Sequence, residues 1–424
     1  MKLLAQIALF VVVALFLSCS DNSVVRQTEP IYTPRYAKGF SVERDTTTGE
    51  KLLCIRNPWQ GASDIVFYTE IDSLSPPKRI VAMSSSHAAM LDAVGCSDRI
   101  VGLSGCRFIY NNDLCKKIAE GEIAEVGYDS AFDFEKIRSL NADIVLLYGV
   151  AGEAKSITDK LDELRIPYIY IGDYLENDPL GKAEWVVALA SLCGVEGKGI
   201  AFFEGVESRY NALREQKYCS AYKPRVMLNL PYRDTWFMPP HNSYMVRLIE
   251  DAGGEYILKT KDERRTDAAE REQRVLAHYA EPQGGKACEA GLKTKEDAEC
   301  KMQNAKLDKA NGQKLMAKSQ NSSMPISLEE ALVLAMKADF WINLGQMASK
   351  EEVCAAAPRF AKVDAVKFNR LYNNTKRTNE SRGSDFWESG AIRPDIILED
   401  LIKILHYEAP TDSLYYYKKL GDRS

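Results

Sequence analysis

Two stretches of the chain repeat one alternation of apolar and polar blocks. The first begins PPKRIVAMSSSHAAMLDAVGCSDRIVGL at Pro76 and runs to DFEKIRSLNADIVLLYG, ending at Gly149. The second opens with KPRVMLNLP at Lys223, continues with YMVRLIEDAGGEYIL at Tyr244 and closes with SLEEALVLAMKADFWINLG from Ser327. Each copy predicts a short apolar strand, a helix, and a second strand ending in a glycine-containing loop, which is the βαβ pattern of a parallel sheet. Ala142-Asp143 and Ala338-Asp339 stand at the same interval before Gly149 and Gly345. Self-similarity at so long a period signals duplicated lobes.

Between the copies, Ile200, Phe203, Val206, Tyr210 and Leu213 recur at helical spacing, with Glu204, Glu207, Arg209 and Arg214 interleaved. The stretch from Glu196 to Gln216 is therefore expected to be a helical spine between two lobes. No proline interrupts it from Ile200 onward, so it should not bend sharply, and its softer flanks are 194–199 and 218–224. Lobe one should contain the strands RIVAMS, RIVGLS, DIVLLYG and YIYIGD. Ahead of it, GFSVERDTTTGEKLLCIRNPWQ and DIVFYTEI read as a small antiparallel hairpin or sheet. In open α/β sheets, ligands bind in loops at the carboxyl ends of strands. That rule selects Ser86, His87, Arg107, Tyr110, Tyr128, Tyr148 and Tyr174 in lobe one. In lobe two it selects Tyr232, Arg233, Trp236, His241, Tyr244, and Arg377, Arg382 and Trp387 of the segment NNTKRTNESRGSDFWE.

Composition adds bounds. At 46% hydrophobic and 27% charged, with a formal net charge of -5, the chain has ample core and no basic excess for a nucleic-acid partner. The opening MKLLAQIALFVVVALFLSCS reads as a signal peptide over residues 1–18, and its end resembles a bacterial lipobox, which would make Cys19 a lipidated first residue. The expected location is thus periplasmic, lipid-anchored to a membrane. Nine further cysteines leave an odd count; Cys106 with Cys115 and Cys288 with Cys300 are candidate local bridges, and Cys193 reads as a buried thiol. The charged stretch 259–320 reads as a solvated helical or partly disordered insertion, with a partner-binding appendage as the alternative. The expected partition is a tether and β region over 19–76, lobes over 77–181 and 223–424, and a connecting segment over 182–222.

Residues Lys78 to Leu420 resemble the substrate-binding proteins that serve ABC importers for vitamin B12, ferric siderophores and haem. The resemblance rests on KRIVAMSSSHAAMLDAVG, VGYDSAFDFEKIRSLNADIVL, the interlobe helix and DFWESGAIRPDIIL. It implies an α/β fold of two Rossmann-like lobes joined by a single long helix, with a small N-terminal β addition, a ligand held between the lobes and little hinge motion. It also implies that Glu135 and Glu388 dock one on each subunit of an ABC permease dimer. The aromatics and Arg107, Arg233, Arg377 and Arg382 point to a metal chelate. A ferric siderophore is favoured for the arginines; cobalamin or haem is the alternative, His241 offering an imidazole to a haem iron, and a sensor for a membrane receptor shares every feature. No enzyme, cofactor or metal site is expected: Ser86-His87 lacks a supporting acid, no G-x-S-x-G elbow appears, and the four histidines form no HExxH pattern.

Overall fold

The computed structural model describes residues 26–72, 74–128, 131–149, 155–216, 222–231, 235–258 and 324–421. The leader with Cys19, the charged insertion, and Tyr232, Arg233, Cys219, Cys288 and Cys300 lie outside the described residues.

The N-terminal region forms a four-stranded antiparallel sheet in the order β1 (Thr28–Tyr32), β2 (Phe40–Asp45), β3 (Lys51–Arg56) and β4 (Val66–Glu70). Lobe one follows as β5 (Ile80–Ala82), α1 (Ser85–Ala93), β6 (Ile100–Leu103), α2 (Asn112–Ala119), β7 (Ala124–Glu125), α3 (Phe134–Ser139), β8 (Ile144–Leu147), α4 (Lys155–Glu163) and β9 (Tyr168–Tyr170). Its sheet is parallel, in the order β7-β6-β5-β8-β9, so the strand order turns about β5. Two helices then cross between the lobes, α5 (Pro179–Leu192) and α6 (Glu196–Arg214).

Lobe two comprises β10 (Arg225–Leu228), β11 (Thr235–Met238), α7 (Tyr244–Asp251), β12 (Glu255–Tyr256), β13 (Met324–Ser327), α8 (Leu328–Ala335), β14 (Phe340–Ile342), α9 (Lys350–Ala356), α10 (Asp364–Lys367), β15 (Leu371–Asn373), α11 (Pro394–Tyr407) and β16 (Lys418–Lys419). Its main sheet runs β12-β10-β14-β15-β16, parallel except for the last pair, while β11 and β13 form a separate antiparallel ribbon.

The duplication read from the sequence is a physical one. β5 pairs with β8 as β10 pairs with β14, and the aspartates that end each repeat do one job twice. The Asp143 carboxylate accepts the Lys78 and Arg79 amides at 2.8 and 2.9 Å, and Asp339 accepts the Arg225 amide at 2.8 Å. Each clips the start of its lobe's first strand.

The helical connection is present, but its buried member is not the stretch with helical periodicity. Thirteen of the fourteen residues of α5 are buried, and it touches α1, β2, α7 and α11, hence both lobes and the N-terminal sheet. A helix apolar all round belongs in an interior. By contrast α6 buries only one stripe, Gly199, Phe203, Val206 and Tyr210, against its neighbours. The turn between them uses Gly194 at φ +71°, and Gly199 is a packing contact rather than a soft flank: a Cβ there would lie 2.5 Å from the Ala190 Cβ.

The N-terminal sheet is fastened to α5 by buried carboxylates. Glu184, fully buried, accepts the Tyr32 hydroxyl and the Arg35, Tyr36 and Ala37 amides at 2.8 to 2.9 Å. Glu176, just before α5, accepts the Lys38 and Gly39 amides and the Trp185 indole N–H. Gly39 is needed because a Cβ would come within 2.6 Å of the Trp185 ring. Replacing Glu184 by Ala strands four donors, one buried and three part-buried, with a cost of about 1–3 kcal/mol for each donor left without a partner. We expect Glu184→Ala to lose at least about 3 kcal/mol in urea unfolding, with proteolysis starting inside 26–76 before it reaches either lobe; wild-type stability would remove this carboxylate from its fastening role.

Candidate ligand-binding cleft

Two chambers share Tyr244 and Trp387 as walls: one of about 400 Å³ between the lobes, and one of about 470 Å³ lined by lobe two alone. Lobe one contributes the ends of its strands: Ser84, Ser85 and Ser86 after β5, Tyr148 after β8, Tyr174 after β9, and Lys182 from the first turn of α5. Lobe two contributes Asn229 after β10, Asn343 and Gln346 after β14, Asn374 and Thr375 after β15, then Thr378, Arg382 and Ser384. Asn229 and Asn343 both sit at φ +64°, a left-handed backbone that asparagine tolerates better than most residues. Trp387 is 58% exposed, a large aromatic face open to the cleft.

Ser84 caps α1, its hydroxyl accepting the Ser86 amide at 3.2 Å, and Ser84 and Ser86 share a hydroxyl contact of 3.0 Å. Behind them His87 is fully buried, 3.9 Å from Asp173, which is also fully buried and holds Lys182 at 2.9 Å. Burial pushes His87 down to about 4, so it is a neutral packing residue at ordinary pH, its ring set edge-on to Tyr148 at 5.8 Å. Tyr148 in turn meets Tyr174 at 4.7 Å. This serine-histidine pair is a cap and a core residue.

Of the residues selected from the sequence, Ser86, Tyr148, Tyr174, Tyr244, Arg382 and Trp387 line the chambers. Others do not. Trp236 is 1% exposed and packs in the lobe-two core against Trp341 and Phe360, its indole N–H on the Leu228 carbonyl at 3.0 Å. The alternation in β11 turns it inward. His241 borders a different cavity, of about 490 Å³, between the N-terminal sheet and the lobes, next to Tyr256. Tyr128 is exposed beside Phe108, and Arg107 lies over the same Phe108 ring at 4.5 Å.

Arg377 and Tyr110 belong to a clasp between the lobes. Arg377 is paired with Asp385 at 2.6 Å and lies over the Tyr110 and Tyr415 rings at 4.8 and 4.3 Å. The Asn379 amide donates to the carbonyls of Arg107 and Ile109 at 2.9 and 2.8 Å. Gly383 abuts the other lobe so closely that a Cβ would sit 1.9 Å from the Phe108 oxygen. Glu388 completes the clasp, accepting the Tyr110 and Asn111 amides at 2.8 and 2.9 Å while only 2% exposed. A carboxylate buried between the lobes is not presented to a permease, so the docking role expected for Glu388 does not hold. Glu135 is exposed in the first turn of α3. The expected Cys106–Cys115 bridge is also absent: both are free, their thiols on the Leu103 and Ile109 carbonyls.

Sequence reasoning missed Lys182, whose position in α5 carries no loop signal, and the amides Asn229 and Asn343. Their signal was available, since both follow strand ends of the repeat.

The chain matches the family described as periplasmic binding protein across residues 80–274. Its bilobed fold is shared with a periplasmic haem-binding protein of Pseudomonas aeruginosa, at 13% identity and TM-score 0.53 over 82% of this chain and 99% of that one. It is shared equally with a possible iron-binding, periplasmic solute-binding protein of Staphylococcus epidermidis, at 13% identity and TM-score 0.53 over 78% and 100%. An uncharacterized lipoprotein of Methanocaldococcus jannaschii is 26% identical over 345 residues, 79% of this chain and 66% of the relative, so the aligned part spans just under two thirds of that protein. The match over residues 80–274 and the shared fold together give this chain the two-lobed architecture of periplasmic binding proteins.

Burial and the neighbouring Asp385 and Asp92 push Glu388 up to about 7, against the two amides that favour its ionised form. Between the ordinary glutamate value near 4.5 and about 7, the folded state therefore binds the extra proton, and this group's stabilisation is lost as pH rises through that window. Asp400, pushed up to about 6, acts in the same direction, and His87 in the opposite one. Subtracting the denaturation profile of Glu388→Gln from that of wild type isolates the Glu388 slope. The difference should fall with pH from about 4.5 to about 7; a flat difference would contradict the buried placement.

Proposed function

We propose that this chain is the substrate-binding component of an ABC importer that captures a metal chelate between its lobes and delivers it to a permease dimer. The observation that carries this reading is the trough shared by Tyr244 and Trp387, with an open indole face and a hydrogen-bonding rim of serine, threonine, asparagine and glutamine. Aromatic faces suit a flat apolar ligand, and the rim suits its polar edge. The ferric-siderophore preference rested on arginines that the fold spends elsewhere: Arg377 is ion-paired and Arg107 is stacked outside the chambers. Among the described residues the only cations lining the chambers are Arg382 and the already paired Lys182, with Glu176 as an acid beside them. A chelate with a neutral, amide-bearing rim, of corrinoid type, therefore fits better than a polyanionic ferric catecholate.

Anchoring through Cys19 outside the cytoplasm belongs to the same proposal; the M. jannaschii relative is itself described as a lipoprotein. The lobes at 77–181 and 223–424 each offer one acid to the permease. In lobe one it is Glu135, two residues after the α3 cap Asp133. The repeat supplies its counterpart as Glu329, two residues after the α8 cap Ser327, with its side chain 76% exposed and in a surface ion pair with Arg359 at 2.9 Å.

Fluorescence titration with cyanocobalamin, haemin, a ferric hydroxamate and a ferric catecholate tests the ligand class. We expect the corrinoid to bind tightest and Trp387→Ala to weaken it roughly tenfold or more, from about 1.5–3 kcal/mol of lost aromatic burial; quenching by none of the four would overturn the chelate assignment. For docking, Glu135→Lys with Glu329→Lys should abolish ligand-stimulated ATPase activity of the reconstituted transporter and leave ligand affinity intact. Unimpaired stimulation would exclude the pair.

A further inference from the structure

The connection between β3 and β4, residues 57–65, leaves the N-terminal sheet and packs behind the cleft. Trp59 is 8% exposed, edge-on to Tyr170 at 5.2 Å and to Phe67 at 5.9 Å. Gly149, at the end of the β8 loop, is pressed against it: a Cβ there would lie 3.0 Å from the Trp59 Cβ and 3.1 Å from the Pro58 oxygen. The Gly149 carbonyl accepts the Tyr174 hydroxyl, and the Tyr174 ring meets Tyr148 edge-on. Both tyrosines line the lobe-one face of the cleft. An unbroken series of contacts thus leads from the N-terminal sheet to that face.

We propose that the 57–65 loop is a working part of the ligand cleft, with Trp59 as a positioning residue that holds Gly149 and Tyr170 from behind and so sets the Tyr148–Tyr174 wall on which a flat chelate stacks. The proposal rests on the cleft reading above and adds to it a segment lying before the family-matched residues, 80–274. A wall of two aromatic rings binds well only if it is held in one orientation before the ligand arrives, since ordering it on binding subtracts from affinity. Each ring here depends on the next. Tyr174 is oriented by a carbonyl, that carbonyl by the close approach of Pro58 and Trp59, and Trp59 by burial between Tyr170 and Phe67. The loop can bear this load because its sheet is fastened to α5 through Glu184 and Glu176.

The test compares full-length wild type with Trp59→Ala and Trp59→Phe. Without ligand, hydrogen exchange in peptides covering 144–149 and 168–175 should quicken in Trp59→Ala, while α5 and lobe two keep their protection and Trp59→Phe restores the wild-type pattern. Cyanocobalamin and haemin titrations should show affinity falling roughly tenfold in Trp59→Ala, recovered in Trp59→Phe. Unchanged exchange in both peptides, or an affinity loss that Phe does not rescue, would overturn the positioning role. Gly149→Ala drives a methyl into Trp59 from the opposite side; if Trp59→Ala does not fold, quickened exchange in the same two peptides supports the proposal and wild-type exchange overturns it. Should wild type bind neither probe, the chelate reading fails by itself, and the exchange measurement still decides whether Trp59 holds the wall.

Discussion

A carboxylate on a buried helix gathering the amides of a distant loop is the interaction on which this structure depends. Glu184 does it for residues 35–37. A carboxylate taken out of water is costly unless its lone pairs are satisfied, and a loop's amides carry the same liability. Joining the two resolves both at once. The geometry is also exclusive, because the amides of one short turn converge on one carboxylate. The device recurs: Glu176 takes 38–39, Glu125 takes Gly105 and Cys106, Asp400 takes 415–417, and Glu388 takes 110–111. Glu184, Glu176 and Glu388 join parts that carry separate sheets, whereas Glu125 and Asp400 act within one lobe.

Much of the fold was legible in the sequence because a duplicated lobe repeats its pattern in strands that must be apolar throughout. The runs RIVAMS and DIVLLYG have no alternative as strands between covering helices. The spine was placed one helix too late for a related reason: α5 is apolar all round, so AEWVVALASL carries no helical period, whereas α6, with one wet face, does. Burial hid the more important element by erasing the signal that reveals helices.

The site was half legible. Residues at the strand ends of lobe one, Ser86, Tyr148 and Tyr174, reach the cleft because topology alone sends them there. Side chains on long loops or in a ribbon obey tertiary packing instead. Trp236 was selected by the strand-end rule and Glu388 through the family resemblance, yet both are spent on structure, one in the core and one in the clasp. An arginine in a sequence is a charge; whether it is free is decided by an aspartate eight residues away, as Arg377 and Asp385 show.

The clasp bears on how the lobes move. The α5–α6 connection is one attachment between the lobes, and the bonds from Asn379 and Glu388 add a second that any wide opening must break. Four hydrogen bonds at about 0.5–1.5 kcal/mol each, plus the Arg377 stack on Tyr110, amount to several kcal/mol of preference for the closed arrangement. A ligand shifts such an equilibrium only by its difference in affinity between the two states. Because Tyr244 and Trp387 of lobe two share a chamber with Tyr148 and Tyr174 of lobe one, a ligand filling it gains contacts from both lobes only when they are closed. Ligand and clasp therefore favour the same state. On the importer reading proposed above, release requires an agent that opposes both, and a partner gripping each lobe separately is able to supply it.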